Sequence, residues 1–168
     1  LCLETGGVRL QEANLGLAAI ADIHSAIAKL RRHTPVVGLI TGTVGCFGGM
    51  SIAAGLCSYL VVTKEARLGL NGPQVIEQEA GITEYDSKDK PFIWSMTGGE
   101  IRYETGFADE LAVDAVRTAI AKCFAQGSPE SFRTDRVGFY LPRLAGFDAS
   151  QQVFPEITKA LFSQGDRK

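Results

Sequence analysis

The chain lacks the features by which several large classes of protein are recognised. It has no apolar run of the length needed to span a bilayer, and the sequence shows no secretory signal peptide. It has no tract of lysine and arginine, and its formal net charge is −2, so we expect no binding of nucleic acid. It has neither a G-x-G-x-x-G fingerprint nor a P-loop, which disfavours a nucleotide-binding Rossmann domain.

Cysteine and histidine are also scarce. The four cysteines, Cys2, Cys46, Cys57 and Cys123, lie far apart with no C-x-x-C pair, and three of them stand in apolar segments. This pattern is typical of reduced thiols, so we expect a cytoplasmic protein with neither disulfides nor a metal site. The two histidines are His24, inside a long helical pattern, and His33 at its end, and they leave few candidates for a general base.

The 168 residues, 45% of them hydrophobic, suit one domain with a substantial core. Because Leu1 opens the chain inside an apparent strand, we expect further N-terminal strands of the same fold to precede it. Alternating strand and helix patterns predict an α/β fold. We expect strands at 1–4, 36–40, 59–63 and 67–70, helices at 8–33, 48–56, 73–80, 92–96, 99–105 and 115–126, a return to the sheet within 107–113, and a mostly helical part over 114–168.

Three local features refine these elements. In the first helix, apolar residues recur at intervals of three and four and predict a buried face formed by Ile20, Ile23, Ile27 and Leu30. Pro73 is suited to the first turn of a helix. Asp114 is a candidate N-cap for the helix that follows it.

Two glycine pairs stand where a strand pattern gives way to a helix pattern, Gly6-Gly7 and Gly48-Gly49. Glycine lets a ligand approach the backbone closely, and the start of a helix presents unpaired N–H groups with positive partial charge. Such a junction can hold a developing oxyanion without a side chain. A single glycine pair is more often only a tight turn, but two at equivalent junctions predict two anion sites.

Three segments resemble the carboxyltransferase branch of the crotonase superfamily in order and spacing: 4–12, 45–50 and 68–78. Within that branch they are most similar to the β subunits of biotin-independent malonate decarboxylases. The strings at 6–12 and 72–78 also resemble the β subunit of acetyl-CoA carboxylase. The resemblance covers residues 1 to about 113 and fades after Gly127.

The resemblance implies a crotonase/Clp-like spiral of ββα units. It also implies decarboxylation of a malonyl thioester, carried on the phosphopantetheine-like arm of an acyl carrier protein, to the acetyl thioester and carbon dioxide. This family needs no biotin and no tightly bound cofactor in this chain. Its active site faces a related γ subunit, so we expect the chain to be active only in a hetero-oligomer with that partner.

The residues expected to act follow from these positions. Backbone N–H groups at the two turns are assigned to the oxyanion sites, although the sequence leaves open which turn serves the thioester and which the carboxylate: Gly6, Gly7, Val8, Gly48, Gly49 and Met50. A second set is assigned to substrate binding: Arg9, Cys46, Phe47, Gly72 and Pro73. For Arg9, contact with a phosphate or carboxylate and a structural ion pair are equally good interpretations. For the Cys46 thiol, packing is the favoured role.

Other functions stay open. A biotin-dependent carboxyltransferase subunit would share the glycine turns. A crotonase-type hydratase or isomerase needs carboxylates as acid and base, for which only Glu77 and Glu79 offer themselves. A non-catalytic scaffold could bind the acyl thioester. Ser51 resembles the nucleophile position of Clp-type peptidases, but the sequence shows no histidine placed to activate it.

Overall fold

The computed structural model describes residues 1–7, 9–12, 14–112 and 115–127. In this part of the chain a 3-10 turn (Leu10–Glu12) leads into helix α1, and helices then alternate with short strands. The elements are α1 (Asn14–Leu30), β1 (Val37–Ile40), α2 (Gly49–Leu56), β2 (Tyr59–Val62), α3 (Pro73–Ala80), α4 (Lys90–Thr97), α5 (Gly99–Glu104), β3 (Glu110–Leu111) and α6 (Val116–Gln126).

The strands form a parallel sheet in the order β1-β2-β3. Val37 pairs with Tyr59, and the register continues to Ile40 and Val62. The N-terminal segment lies along the side of β1 that does not pair with β2. Leu3 N–H donates to the Leu39 carbonyl at 2.8 Å, and Leu39 N–H donates to the Leu1 carbonyl at 2.8 Å. Cys2 forms a single parallel bridge there, so the strand expected at 1–4 is reduced to this pairing.

The alternation of side chains along the strands divides the core into two layers. Ile40, Leu60 and Val62 belong to the cluster that also contains Ile27 of α1 and Ala53 of α2. A second set of strand residues, Val37, Tyr59 and Val61, packs with Ala119 and Cys123 of α6. Helices therefore cover both faces of the parallel sheet, as the near-continuous apolar strands require.

Helix α2 packs closely on α1 because its residues are small. A Cβ on Gly49 would lie only 2.9 Å from Ile20 Cγ2, and Ala53 and Ala54 are buried. His24 Nε2 donates to the Gly49 carbonyl at 2.9 Å, which ties the two helices together where α2 begins. The start of α2 is thus fixed against α1.

The structure corrects the sequence prediction for the first helix. It begins at Asn14 and ends at Leu30, shorter than the expected 8–33. Of its expected buried face only Ile27 is buried, while Ile23 and Leu30 are 38% and 50% exposed. The physical reason is that the short, small-residue α2 covers a narrower stripe of α1 than the apolar pattern allows.

The expected strand at 67–70 is also wrong. Leu68 forms a single parallel bridge with Cys46, and Arg67 a single antiparallel bridge with Gly98, so the segment changes partner before a ladder can form. Helix α4 begins at Lys90 because the Asp89 carboxylate accepts a hydrogen bond from Phe92 N–H at 3.1 Å.

The remaining elements agree with the sequence predictions within a few residues. The N-cap of α6 is Ala115, and the expected N-cap Asp114 lies outside the described residues, as does the expected helical structure over 128–168. No helix in the described part of the chain has the length and hydropathy to cross a membrane.

A substitution at Gly99 tests how closely α5 approaches the end of β2. It is buried, its N–H donates to the Ala66 carbonyl at 2.8 Å, and an added Cβ would overlap the carbonyl oxygen of Thr63. We expect Gly99→Ala to lower the free energy of unfolding by about 1–3 kcal/mol, measured by urea denaturation. Gly55→Ala in α2 is the matched control, because its Cβ meets no atom within 4 Å. Equal midpoints for the two variants would contradict this packing.

Candidate active site

A cleft of about 620 Å³ lies at the edge of the sheet where the N-terminal segment and β1 end. It brings the two glycine turns together with the loop that precedes α3. Its lining comprises Thr5–Gly7, Phe47–Met50 and Leu70–Val75, together with Ile20, Val44, Arg67 and Ser87.

The second glycine turn presents free backbone donors to this cleft. Gly48, the N-cap of α2, has φ 61° and ψ −140°, a conformation that strongly favours glycine. Its own N–H donates to the Leu70 carbonyl at 2.7 Å. The N–H groups of Gly49 and Met50, which follow in the first turn of α2, have no acceptor among the described residues. Helix geometry directs such N–H groups out of the N-terminal end, where the helix dipole favours negative charge.

The first glycine turn is attached to the second. Thr5 N–H donates to the Gly45 carbonyl at 3.0 Å. Gly7 has φ 118°, and its N–H donates to its neighbour, Thr5 Oγ1, at 3.2 Å. The Gly6 N–H has no acceptor among the described residues. Val8 lies outside the described residues, so its expected role stays a prediction.

Arg67 contributes the one charged side chain among the described residues that line the cleft. Its Nε donates to the Thr43 carbonyl at 2.8 Å and its Nη2 to the Val44 carbonyl at 3.2 Å. The guanidinium carbon lies 5.5 Å from the ring centre of Phe47 and 4.9 Å from that of Trp94. No local signal in the sequence marks this residue, because its partners are distant along the chain.

Two of the residues assigned to substrate binding do not line the cleft. Cys46 is fully buried, and burial, with smaller effects from Cys57 and Glu4, raises the pKa of its thiol to about 12. Arg9 is exposed, and its guanidinium pairs with Glu12 at 3.2 Å. The packing role for Cys46 and the ion pair for Arg9 are therefore the interpretations that this structure supports. Phe47, Gly72 and Pro73 do lie in the lining.

The carboxylates suggested for acid–base chemistry lie elsewhere. Glu77 Oε2 accepts a hydrogen bond from Ser87 N–H at 2.7 Å, and this hydrogen bond lowers the pKa of Glu77. Glu79 is exposed on α3. Among the described residues that line the cleft there is no aspartate, glutamate or histidine. A hydratase or isomerase would need such a group over the substrate.

A serine nucleophile finds no support in the geometry. Ser51 Oγ donates to the Gly48 carbonyl at 2.7 Å, and His24 is bonded to the Gly49 carbonyl instead. His33 is exposed beyond the end of α1. In the described ranges, no three or more His, Cys, Asp or Glu side chains are grouped so that they could hold a metal ion.

The fold belongs to the α/β class with a parallel sheet, as the sequence predicted. Within this class, the Carboxyl transferase domain family matches residues 2–148, and the chain belongs to that family. The resemblance found in the sequence is thereby confirmed.

Three relatives with known functions or structures are similar to this chain. The malonyl-S-ACP:biotin-protein carboxyltransferase MADC of Malonomonas rubra is 43% identical over 118 residues, covering 70% of this chain and 37% of its own length. A subunit of a Pseudomonas malonate decarboxylase hetero-tetramer, solved with malonate, is 64% identical with a TM-score of 0.80, and the match covers 90% of this chain and 56% of that one. A subunit of the Pseudomonas MdcD-MdcE hetero-dimer is 60% identical with a TM-score of 0.73, covering 86% of this chain and 60% of that one.

The chain therefore spans between about a third and three fifths of the length of these relatives. Its relation to proteins that act as malonate decarboxylases and carboxyltransferases supports a catalytic role within the carboxyltransferase family.

Thiol labelling tests the burial of Cys46. Cys2 is exposed, whereas Cys46, Cys57 and Cys123 are buried, and burial raises the pKa of Cys123 to about 11. Because the thiolate is the reactive form, we expect iodoacetamide at pH 8 to alkylate Cys2 and leave Cys46 unmodified in the native protein. Peptide mass spectrometry gives the result, and labelling in urea is the control. If Cys46 in the native protein were labelled as fast as Cys2, its thiol would be accessible and its assignment to packing would be wrong.

Proposed function

We propose that this chain is a subunit of a malonate decarboxylase and that its cleft decarboxylates a malonyl thioester. The observation that carries the proposal is the pair of unpaired N–H groups at Gly49 and Met50, which face a cleft also lined by Gly6. The 64% identity to the Pseudomonas decarboxylase subunit supports this substrate class.

The reaction needs a place for negative charge. When the bond between the α-carbon and the carboxylate breaks, its electron pair moves into the thioester carbonyl, carbon dioxide leaves and an enolate remains. The enolate then takes up one proton from water at the α-carbon, which gives the acetyl thioester and leaves hydroxide. Backbone N–H groups of Gly49 and Met50 would hold the enolate oxygen without any reorganisation as charge develops.

The absence of carboxylate and imidazole groups from the described lining suits this chemistry. Decarboxylation requires no general base to start, because the electron pair comes from the broken carbon–carbon bond. Hydration and isomerisation both require such a base. The cleft is therefore better suited to decarboxylation than to the crotonase-type alternatives.

The substrate would be presented on the phosphopantetheine-like arm of an acyl carrier protein, with neither biotin nor a tightly bound cofactor in this chain. A related γ subunit would complete the site. The two Pseudomonas structures that resemble this chain are a hetero-tetramer and a hetero-dimer, and they support a hetero-oligomer here.

A second function has its own support. The Malonomonas relative is named as a carboxyltransferase from malonyl-S-ACP to a biotin protein. In that reaction the carboxyl group of the malonyl thioester passes to biotin, and the thioester forms the same enolate. The glycine turns would serve both reactions equally, so the acceptor distinguishes them.

The test measures carbon dioxide release from a malonyl carrier protein, without biotin, by the full-length chain in complex with its partner subunit. Gly49→Pro removes the N–H, and Gly49→Ala is the matched control, because both place a Cβ near Ile20 and only alanine keeps the donor. Proline is tolerated at the first position of a helix. We expect kcat to be about 10²–10³-fold lower for Gly49→Pro than for Gly49→Ala.

Three other outcomes of this assay would contradict parts of the proposal. Equal kcat values for the two variants would show that the Gly49 N–H does not contribute to catalysis. No release of carbon dioxide without biotin, together with transfer of the carboxyl group to an added biotin protein, would establish the carboxyltransferase instead. A complex that assembles and binds the carrier without turnover of either kind would identify a scaffold.

A further inference from the structure

We propose that Arg67 is the positioning residue for the second glycine turn, holding the N–H groups of Gly49 and Met50 in place for catalysis. This inference rests on the proposed function for its kinetic consequence. Its structural part, the attachment of the turn, is open to a separate measurement.

The side chain of Arg67 contacts three residues of the segment that leads into the second glycine turn. Its Nε and Nη2 donate to the carbonyls of Thr43 and Val44 at 2.8 and 3.2 Å. Its guanidinium lies over the ring of Phe47, with the carbon 5.5 Å from the ring centre. These contacts attach to Arg67 the segment that leads to Gly48, the N-cap of α2.

The backbone next to Arg67 contacts the same turn. The Arg67 carbonyl accepts a hydrogen bond from Cys46 N–H at 2.8 Å, and the Cys46 carbonyl accepts one from Gly69 N–H at 3.2 Å. Gly48 N–H then donates to the Leu70 carbonyl at 2.7 Å. The turn is thus bonded along 67–70 through its main chain as well as through the Arg67 side chain.

Arg67 packs closely against the residues that precede the second glycine turn. Gly45 has φ 84°, and a Cβ there would lie 2.7 Å from the Phe47 ring and 3.0 Å from Arg67 Cβ. Trp94 of α4 closes the other side, with its ring centre 4.9 Å from the guanidinium carbon. A change at Arg67 would therefore be transmitted to the turn.

The role depends on the shape of the guanidinium group. A planar group with several N–H donors can bond to two carbonyls and stack on aromatic rings at once, and a lysine ammonium cannot reproduce this arrangement. No salt bridge to Arg67 occurs within the described part of the chain. The alternative role, recognition of the substrate carboxylate by charge alone, would be retained by lysine.

The kinetic experiment compares Arg67→Lys and Arg67→Met with the wild type, each as full-length chain in the complex with its partner subunit. We expect both variants to lower kcat for the malonyl carrier protein by about 10- to 100-fold, since small misplacements of catalytic groups have effects of this size. KM should change less than about threefold. Arg32→Met, at an exposed position after α1, is the control and should leave both constants unchanged.

Hydrogen–deuterium exchange in the same complexes measures the turn itself. The amides of Cys46 and Gly48 are hydrogen-bonded in the wild type and should exchange at least about tenfold faster in both Arg67 variants, while the amides of β2 stay unchanged. Unchanged exchange at Cys46 and Gly48 would overturn the proposal.

Arg67→Lys would also overturn it if that variant kept the wild-type kcat while Arg67→Met raised KM, because charge alone would then explain the role. If the wild-type complex releases no carbon dioxide, the proposed function fails. The exchange result would still decide whether Arg67 holds the turn.

Discussion

Parallel pairing of the N-terminal segment with β1 is the constraint on which the site depends. In a parallel sheet the carboxyl ends of neighbouring strands meet at one edge, where ligands of α/β proteins commonly bind. The hydrogen bond from Leu3 N–H to the Leu39 carbonyl fixes this register, and the one from Thr5 N–H to the Gly45 carbonyl continues it past the end of the sheet. Two turns more than 35 residues apart in sequence consequently share one cleft.

Both glycine turns line the cleft. Its polar groups include the amides left free where α2 begins, Arg67 and the uncharged polar residues Thr5, Asn71, Gln74 and Ser87, with no acidic or imidazole side chain among the described residues that line it. Such a surface can stabilise charge that a substrate develops. In the proposed decarboxylation and in carboxyl transfer the electron pair comes from the broken carbon–carbon bond, so neither reaction needs a base in this lining to begin.

Much of the fold and part of the site could be predicted from sequence because the signals are local. Glycine pairs after apolar strands identified both turns, and Pro73 marked the start of α3. The exposure of Ile23 could not be predicted, because periodicity does not reveal how much of a helix its neighbours cover. The packing role favoured for Cys46 agrees with its burial. The contacts of Arg67 could not be predicted, because they follow from pairing between distant segments.

A substitution at Ile20 can move the N–H groups at the start of α2, because Ile20 lies against Gly49. Ile20 lies on α1, and its methyl group limits how closely α2 can approach. A smaller or larger side chain at this position would move these N–H groups while leaving the sequence of both glycine turns unchanged, although Ile20 itself also lines the cleft. Protein engineers would therefore find in residue 20 a way to change the width of the proposed oxyanion site from a neighbouring helix.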